Sequence, residues 1–331
     1  MSRRLTRREF SKTMLAASTG AATLLASSPL ELAAAKKRQI KIGHTSITWP
    51  MDRGCYVPDD SPCPAGQIEA GIKDISSLGF YGYEFFGIAL QKLESQGGVG
   101  QLLNQYHLPL ISVYCTVNLV DPAKTKDGPQ SISVLLEQAK LVKKYGGAVV
   151  VLGPNQVDRR SYDFKPHQTD IVNALNQAAK AVSDVGITAC FHPHTGTCVE
   201  NRDETYAVMN AVDTRYVKFG PDIGQLQKGG SDPVAIVKDF LPVVEHMHFK
   251  DYSGGEYYLG YCPLGEGKVN LPAILDLIDG KKLSGMVMVE LDGQFFSTDK
   301  KLPPETPLQA AEKAKAYLEQ QGVRFRTRSG A

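Results

Sequence analysis

The feature that most constrains the fold is an alternation running along the chain from residue 39 onward. Short apolar runs recur at 40–47, 82–86, 108–117, 148–152, 187–192, 217–222, 244–249 and 285–291, and each reads as a buried strand. Segments of helical period lie between them. Ile68, Ile72, Ile75 and Leu78 recur at helix spacing and stop at Gly79, a residue suited to a left-handed cap. The periodic segments 134–145 and 171–185 run into Gly146 and Gly186. Asp232-Pro233 and Asn270-Leu271-Pro272 are helix starts with proline in the first turn, and a last helix over 307–321 closes at Gly322. Eight strands alternating with helices predict a parallel sheet closed on itself, a single-domain (β/α)8 TIM barrel over 36–322. An open doubly wound sheet is the competitor, but no GxGxxG follows the first strand. The basic tail 323–331 is expected to be flexible.

A barrel places its chemistry at the C-terminal ends of its strands. Here four consecutive ends carry polar side chains. The fifth ends in His192-Pro193-His194, where two imidazoles two residues apart point to one face. The sixth ends in Pro221-Asp222, the seventh contains His248, and the eighth reaches Glu290. Taken singly, Asp222 is equally a helix cap, His248 a satisfied core histidine and Glu290 half of a rim ion pair. Together, at matching depth, His192, Asp222, His248 and Glu290 form a nitrogen and carboxylate set for one divalent metal ion, Mn²⁺, Co²⁺, Mg²⁺ or Zn²⁺.

The phrases FHPHTGT, PDIGQ, HMHFKD, PLGEG and VELDG resemble the sugar phosphate isomerase/epimerase superfamily, with its xylose-isomerase-like barrel. HPHTGT with HFKD is most similar to the inosose dehydratase branch. The resemblance implies the same metal ligands, His192, Asp222, His248 and Glu290. Ketose epimerases of the superfamily carry glutamate where this chain has His192, and use it with the last-strand glutamate as two opposed acid/base groups. The departure leaves Glu290 as one such group and makes His194 the natural other. The superfamily also tends to carry histidine in place of Gln225.

The implied chemistry is that of a keto-sugar isomerase or epimerase. A metal chelating the carbonyl and a neighbouring hydroxyl stabilises the oxyanion formed when a base, here His194, takes the α-proton. The enediolate is then reprotonated, or it expels a β-substituent, as in an inosose-dehydratase-like lyase acting on a keto-polyol or 3-keto-glycoside. Lys250 either steadies an oxyanion or pairs with Asp251. Glu84 faces the pocket or caps a helix. Glu200 binds sugar hydroxyls or lies on a solvated face, and His44 with Trp49 forms either a sugar-stacking wall or core. Gln225 is a further substrate contact. Tyr257, Tyr258 and Tyr261 are candidates for an aromatic lid. A phosphodiesterase and a non-catalytic sugar-binding barrel are weaker readings.

The N-terminus carries Thr6-Arg7-Arg8-Glu9-Phe10-Ser11-Lys12, the spacing of a twin-arginine export signal. A small-residue run follows that is too short and weakly apolar to favour a membrane span. Residues 1–35 are therefore set apart as a signal, with a periplasmic destination expected. A net charge of +2 offers no field for nucleic acid, so the expected partner is a small sugar or polyol; homo-oligomerisation is compatible with the sequence. Among the six cysteines, Cys55 and Cys63 flank a Pro/Asp-rich loop and are candidates for a disulfide, and no CxxC metal spacing occurs.

Overall fold

A computed structural model describes residues 37–292 and 303–327. The twin-arginine segment and residues 328–331 lie outside the described residues. The barrel strands are β1 (Ile42–Thr45), β2 (Tyr83–Phe86), β3 (Leu110–Val117), β4 (Val149–Pro154), β5 (Thr188–Phe191), β6 (Val217–Phe219), β7 (Met247–Phe249) and β10 (Val287–Val289). A two-stranded antiparallel hairpin, β8 (Asp251–Tyr252) with β9 (Tyr261–Cys262), interrupts the count after β7. The parallel order is β6-β5-β4-β3-β2-β1-β10-β7, and single parallel bridges Phe219↔Val244 and Asp222↔His248 join its two ends. The expected barrel is therefore the observed fold.

The seam between β6 and β7 is the one departure from a continuous ladder. Pro221 has no N–H to give, so regular pairing of β6 stops at Phe219. The Pro221 carbonyl still accepts from His248 N at 2.9 Å. That bond sets Asp222 directly opposite His248.

Period-two alternation divides the core in two. Val150, Leu152, Ala189 and Phe191 face outward into the main core beneath the helices. Val149, Val151 and Cys190 form a separate cluster with Tyr114. The helices Ala65–Ser77, Ile132–Lys144 and Gln168–Asp184 bury Ile68, Ile72 and Ile75, then Leu135 and Val142, then Ile171, Leu175 and Val182. The expected strands were too long at several ends, because an apolar run continues past the last ladder bond.

Residues 323–327 correct the expectation of a flexible tail. Val323 is buried, the Phe325 ring packs edge-on against Phe80 at 5.0 Å, and Arg326 N donates to Gly79 O. Cys55 and Cys63 form a disulfide, while Cys115, Cys190, Cys198 and Cys262 are buried free thiols. No helix among the described residues is long and apolar enough to cross a membrane.

Candidate active site

Alternation also builds the site. His246, His248 and Lys250 are two apart along one line and all three are buried; His246 meets Glu84, His248 meets Glu84 and Glu290, and Lys250 meets Glu290, Asp222 and Asp292. Met247 and Phe249, between them, join the helix-side core. From neighbouring strands come Glu84, His192, Asp222, Glu290 and Asp292, each 8% exposed or less.

Glu84 lies at the base of the group. A bulge between Tyr83 and Glu84 shifts the register of β2 against β3 and sets Glu84 beside Ser112. Its carboxylate accepts from Ser112 Oγ at 2.5 Å and His246 Nε2 at 2.9 Å, and His248 Nε2 lies 2.8 Å away. Met286 N donates to His246 Nδ1, so that ring carries its proton on Nε2 and is neutral. Burial raises a carboxylate's pKa, but the two imidazoles outweigh it and hold Glu84 ionised. The expected alternative of a helix cap does not apply to this residue.

Above it, His192 Nδ1 donates to Gly220 O at 2.9 Å, which leaves the Nε2 lone pair facing Asp222 Oδ2 at 4.0 Å. Burial, followed by the nearby His248 charge, keeps His192 neutral. Asp222 serves both of its expected roles. Oδ1 caps the helix Ile223–Lys228 by accepting from Gly224 N and Gln225 N at 2.9 Å, and Oδ2 faces the centre. His248 lies between Glu84 and Glu290, with Nδ1 2.8 Å from Glu290 Oε2. Burial would lower its pKa, but the two carboxylates raise it well above the usual range.

Lys250 is the feature that most changes the sequence picture. Its ammonium is fully buried, 2.6 Å from Glu290 Oε1, 2.7 Å from Asp292 Oδ2 and 2.8 Å from Asp222 Oδ2. Tyr261 covers it with a ring face 4.8 Å away. A Cβ at Gly224 would meet Lys250 Cβ at 2.8 Å and Cγ at 2.7 Å, so only glycine leaves that side chain room to pass. The expected alternative, a pair with Asp251, is overturned. Asp251 instead accepts from the backbone N–H of Tyr252, Gly265, Gly267 and Val269 and ties down the loop after β9.

Do these residues fit a metal? His192, Asp222 and His248 offer ligand atoms within 4.8 Å of one another, and Glu84, His246 and His248 form a second such group. Both ring nitrogens of His248 and Asp222 Oδ2 are buried without a well-directed hydrogen bond, although charged groups approach to 2.8 Å. The His192 Nε2 and Asp222 Oδ2 lone pairs, beside a His248 ring that a cation would have to deprotonate on binding, suit a small cation. Two imidazoles and a carboxylate, with Glu290 alongside, suit a borderline ion such as zinc or manganese. Glu290 does not fall within the same 4.8 Å spacing, and the Lys250 ammonium shares Asp222 and Glu290 with any such ion.

A model of the xylose isomerase-like TIM barrel family matches residues 72–321. The chain belongs to this family. An inosose dehydratase of Lacticaseibacillus casei (strain BL23) is 22% identical over 311 residues, covering 86% of this chain and 96% of its own. Among solved structures, a D-allulose 3-epimerase from Methylomonas sp. in complex with D-allulose superposes with a TM-score of 0.64 at 15% identity, over 87% of this chain and 99% of its own. The IOLI protein with a bound zinc atom superposes with a TM-score of 0.62 at 15% identity, over 85% and 98%.

Within this family member, the other singled-out residues divide cleanly. His194 Nδ1 donates to Thr195 O at 2.8 Å, and its Nε2 accepts from Gln225 Nε2 at 2.7 Å. Burial and then the Lys250 charge lower its pKa. Gln225 also donates to Asp292 Oδ2 at 3.1 Å and accepts from Thr195, so its first partners are protein groups. Glu200 lines the cavity and accepts from Gly196 N. His44 and Trp49 face the core. The His44 ring packs edge-on to Trp49 and Phe80 at 5.1 Å each, and Trp49 Nε1 donates to Asp74 Oδ2. Of the expected tyrosine lid, Tyr258 and Tyr261 are buried together with Leu291 and Ala310, and Tyr261 lines the cavity.

His246 and Asp292 escaped the sequence reading. Each stands two residues from a chosen ligand, His248 or Glu290, so the same period-two rule places them on the same face.

Proposed function

We propose that this family member is a metal-dependent enzyme that removes the proton beside the carbonyl of a keto sugar or keto-polyol and returns it to give an isomer or epimer. The observation that carries the reading is the pairing of His194 with the His192–Asp222–His248–Glu290 centre. His194 Nδ1–H is given to Thr195 O, so its basic lone pair sits on Nε2, which accepts from Gln225, and both residues line the cavity. Burial keeps that ring neutral and able to accept a proton near neutral pH.

A bound divalent ion supplies Lewis acidity to the substrate carbonyl. The chain's own residues do the rest. His194 Nε2 exchanges its Gln225 hydrogen bond for the substrate C–H and takes the proton. The Lys250 ammonium, fully buried against the Tyr261 ring, does not reach an oxyanion as expected but holds the Asp222, Glu290 and Asp292 carboxylates in place around the centre. Glu290, held ionised by His248 and Lys250 against the effect of burial, is the second acid/base group. IOLI with its zinc supports the cofactor, and the D-allulose 3-epimerase supports the reaction class.

The curated relatives favour a second reading, dehydration, because they are inosose dehydratases. In that case the same proton abstraction is followed by loss of a β-hydroxyl. Export to the periplasm through the twin-arginine segment is part of the same proposal.

Incubation of metal-loaded protein with ketohexoses, 3-keto-glucosides and 2-keto-inositol in deuterated water, followed by NMR and mass spectrometry, tests it. One deuterium at the α-carbon with the skeleton intact is the expected outcome, and loss of water selects the dehydratase reading. His194→Ala should retain metal and lose about 10²–10⁴-fold in exchange rate. No exchange with any of these substrates at full metal content contradicts the proposal.

A further inference from the structure

The cavity at the barrel mouth is about 1380 Å³. Pockets that hold drug-sized ligands are usually ~300–1,000 Å³, and a ketohexose has only about a dozen non-hydrogen atoms. The cavity therefore has room for much more than the sugar that reaches the proposed catalytic centre.

Its extra length has a built wall. From His192, aromatic rings follow one another outward: Tyr114 on β3 at 5.5 Å, Phe86 at the end of β2 at 5.8 Å further, then Tyr56 at 6.2 Å. All three line the cavity. Gly153 on β4 makes room for the row, since a Cβ there would lie 2.1 Å from the Tyr114 hydroxyl. Tyr56 belongs to a loop that is fixed at both ends. The Cys55–Cys63 disulfide closes it, and Lys92 Nζ donates to the carbonyls of Asp59 at 2.7 Å and Ser61 at 2.8 Å. Asn118, Gln130 and Lys124 also line the cavity and supply polar groups. A row of aromatic rings in a cavity that also offers polar side chains suits pyranose or aryl rings, which present a flat apolar face and a hydrogen-bonding edge.

We propose that the substrate has two rings: a keto sugar still joined through a glycosidic bond to a second ring, which lies along Phe86 and Tyr56. This rests on the keto-sugar reading above and names the substrate class for that site. No additional bond is made or broken at the outer end; the second ring contributes affinity and register.

The test is calorimetric, on the full metal-loaded chain, with glucose, cellobiose and phenyl β-glucoside as unreactive probes. At least one two-ring probe should bind about tenfold or more tightly than glucose. Cellobiose and phenyl glucoside separate a second sugar from an aryl aglycone. Tyr56→Ala should abolish the gain from the second ring, and Tyr56→Phe, which keeps the ring, should retain it. Equal binding of all three probes, no binding of any, or a gain that survives Tyr56→Ala overturns the proposal. Because binding is read without turnover, a failure of the proton-abstraction mechanism is seen separately, as absence of deuterium exchange.

Discussion

Lys250 carries a positive charge to a place water does not reach, and only the surrounding carboxylates make that tolerable. Lys250→Met keeps the volume and leaves Asp222, Glu290 and Asp292 facing one another uncompensated. The metal-free variant should lose about 3–5 kcal/mol of stability in denaturant unfolding. Added Mn²⁺ or Zn²⁺ should raise its Tm by more than it raises that of the wild type, because the ion replaces the lost charge. His44 makes a separate prediction. Burial lowers its pKa to about 4, against 6.5 in the unfolded chain. The folded state therefore binds fewer protons between pH 4 and 6.5, so His44 costs stability as pH falls through that window, by about 3 kcal/mol in total, and has no effect above it. His44→Gln should flatten the slope of stability against pH in that range alone. At this scale the sequence was a good guide to residue type and face. His192, Asp222 and His248 come within ligand spacing of one another, while Glu290 pairs with His248 and Lys250 outside that spacing. The partners of Lys250 were not legible, since they depend on which strands become neighbours.

Elements set the register of these side chains, and two local devices matter most. Proline at 221 ends β6 early and leaves its carbonyl to pair with His248, which fixes Asp222 across from the histidine. The second device is Asp251, whose carboxylate gathers four backbone N–H groups and holds the loop after β9 against β8. Asp251→Ala strips those donors of their acceptor, at about 1–3 kcal/mol for each that water cannot reach. The expected result is a loss of at least about 2 kcal/mol, with faster amide exchange at Gly265, Gly267 and Val269 by NMR; unchanged protection there contradicts the assignment. Helices such as Ile132–Lys144 and Gln168–Asp184 were legible from period and glycine stops. The β8–β9 hairpin was not. Its strands are two residues each, too short for any periodicity to show.

Across the whole molecule, the barrel brings residues separated by more than two hundred positions to one centre, from Glu84 on β2 to Asp292 beyond β10. The alternation of apolar runs was enough to predict that convergence, because a closed parallel sheet sends every strand's C-terminal end to the same mouth. It was not enough to show that His248 belongs to two overlapping groups, one with His192 and Asp222 and one with Glu84 and His246. Distinguishing them requires knowing how deep each side chain sits. Ligation at the His192–Asp222–His248 group, whose His192 ring lies 6.0 Å from His194, is what the proposed chemistry needs. Anomalous diffraction from crystals grown with Mn²⁺ decides this directly. The predicted result is a single peak within bonding distance of His192 Nε2, Asp222 Oδ2 and a His248 ring nitrogen; a peak at Glu84 and His246 instead, or none at saturating Mn²⁺, would contradict the account.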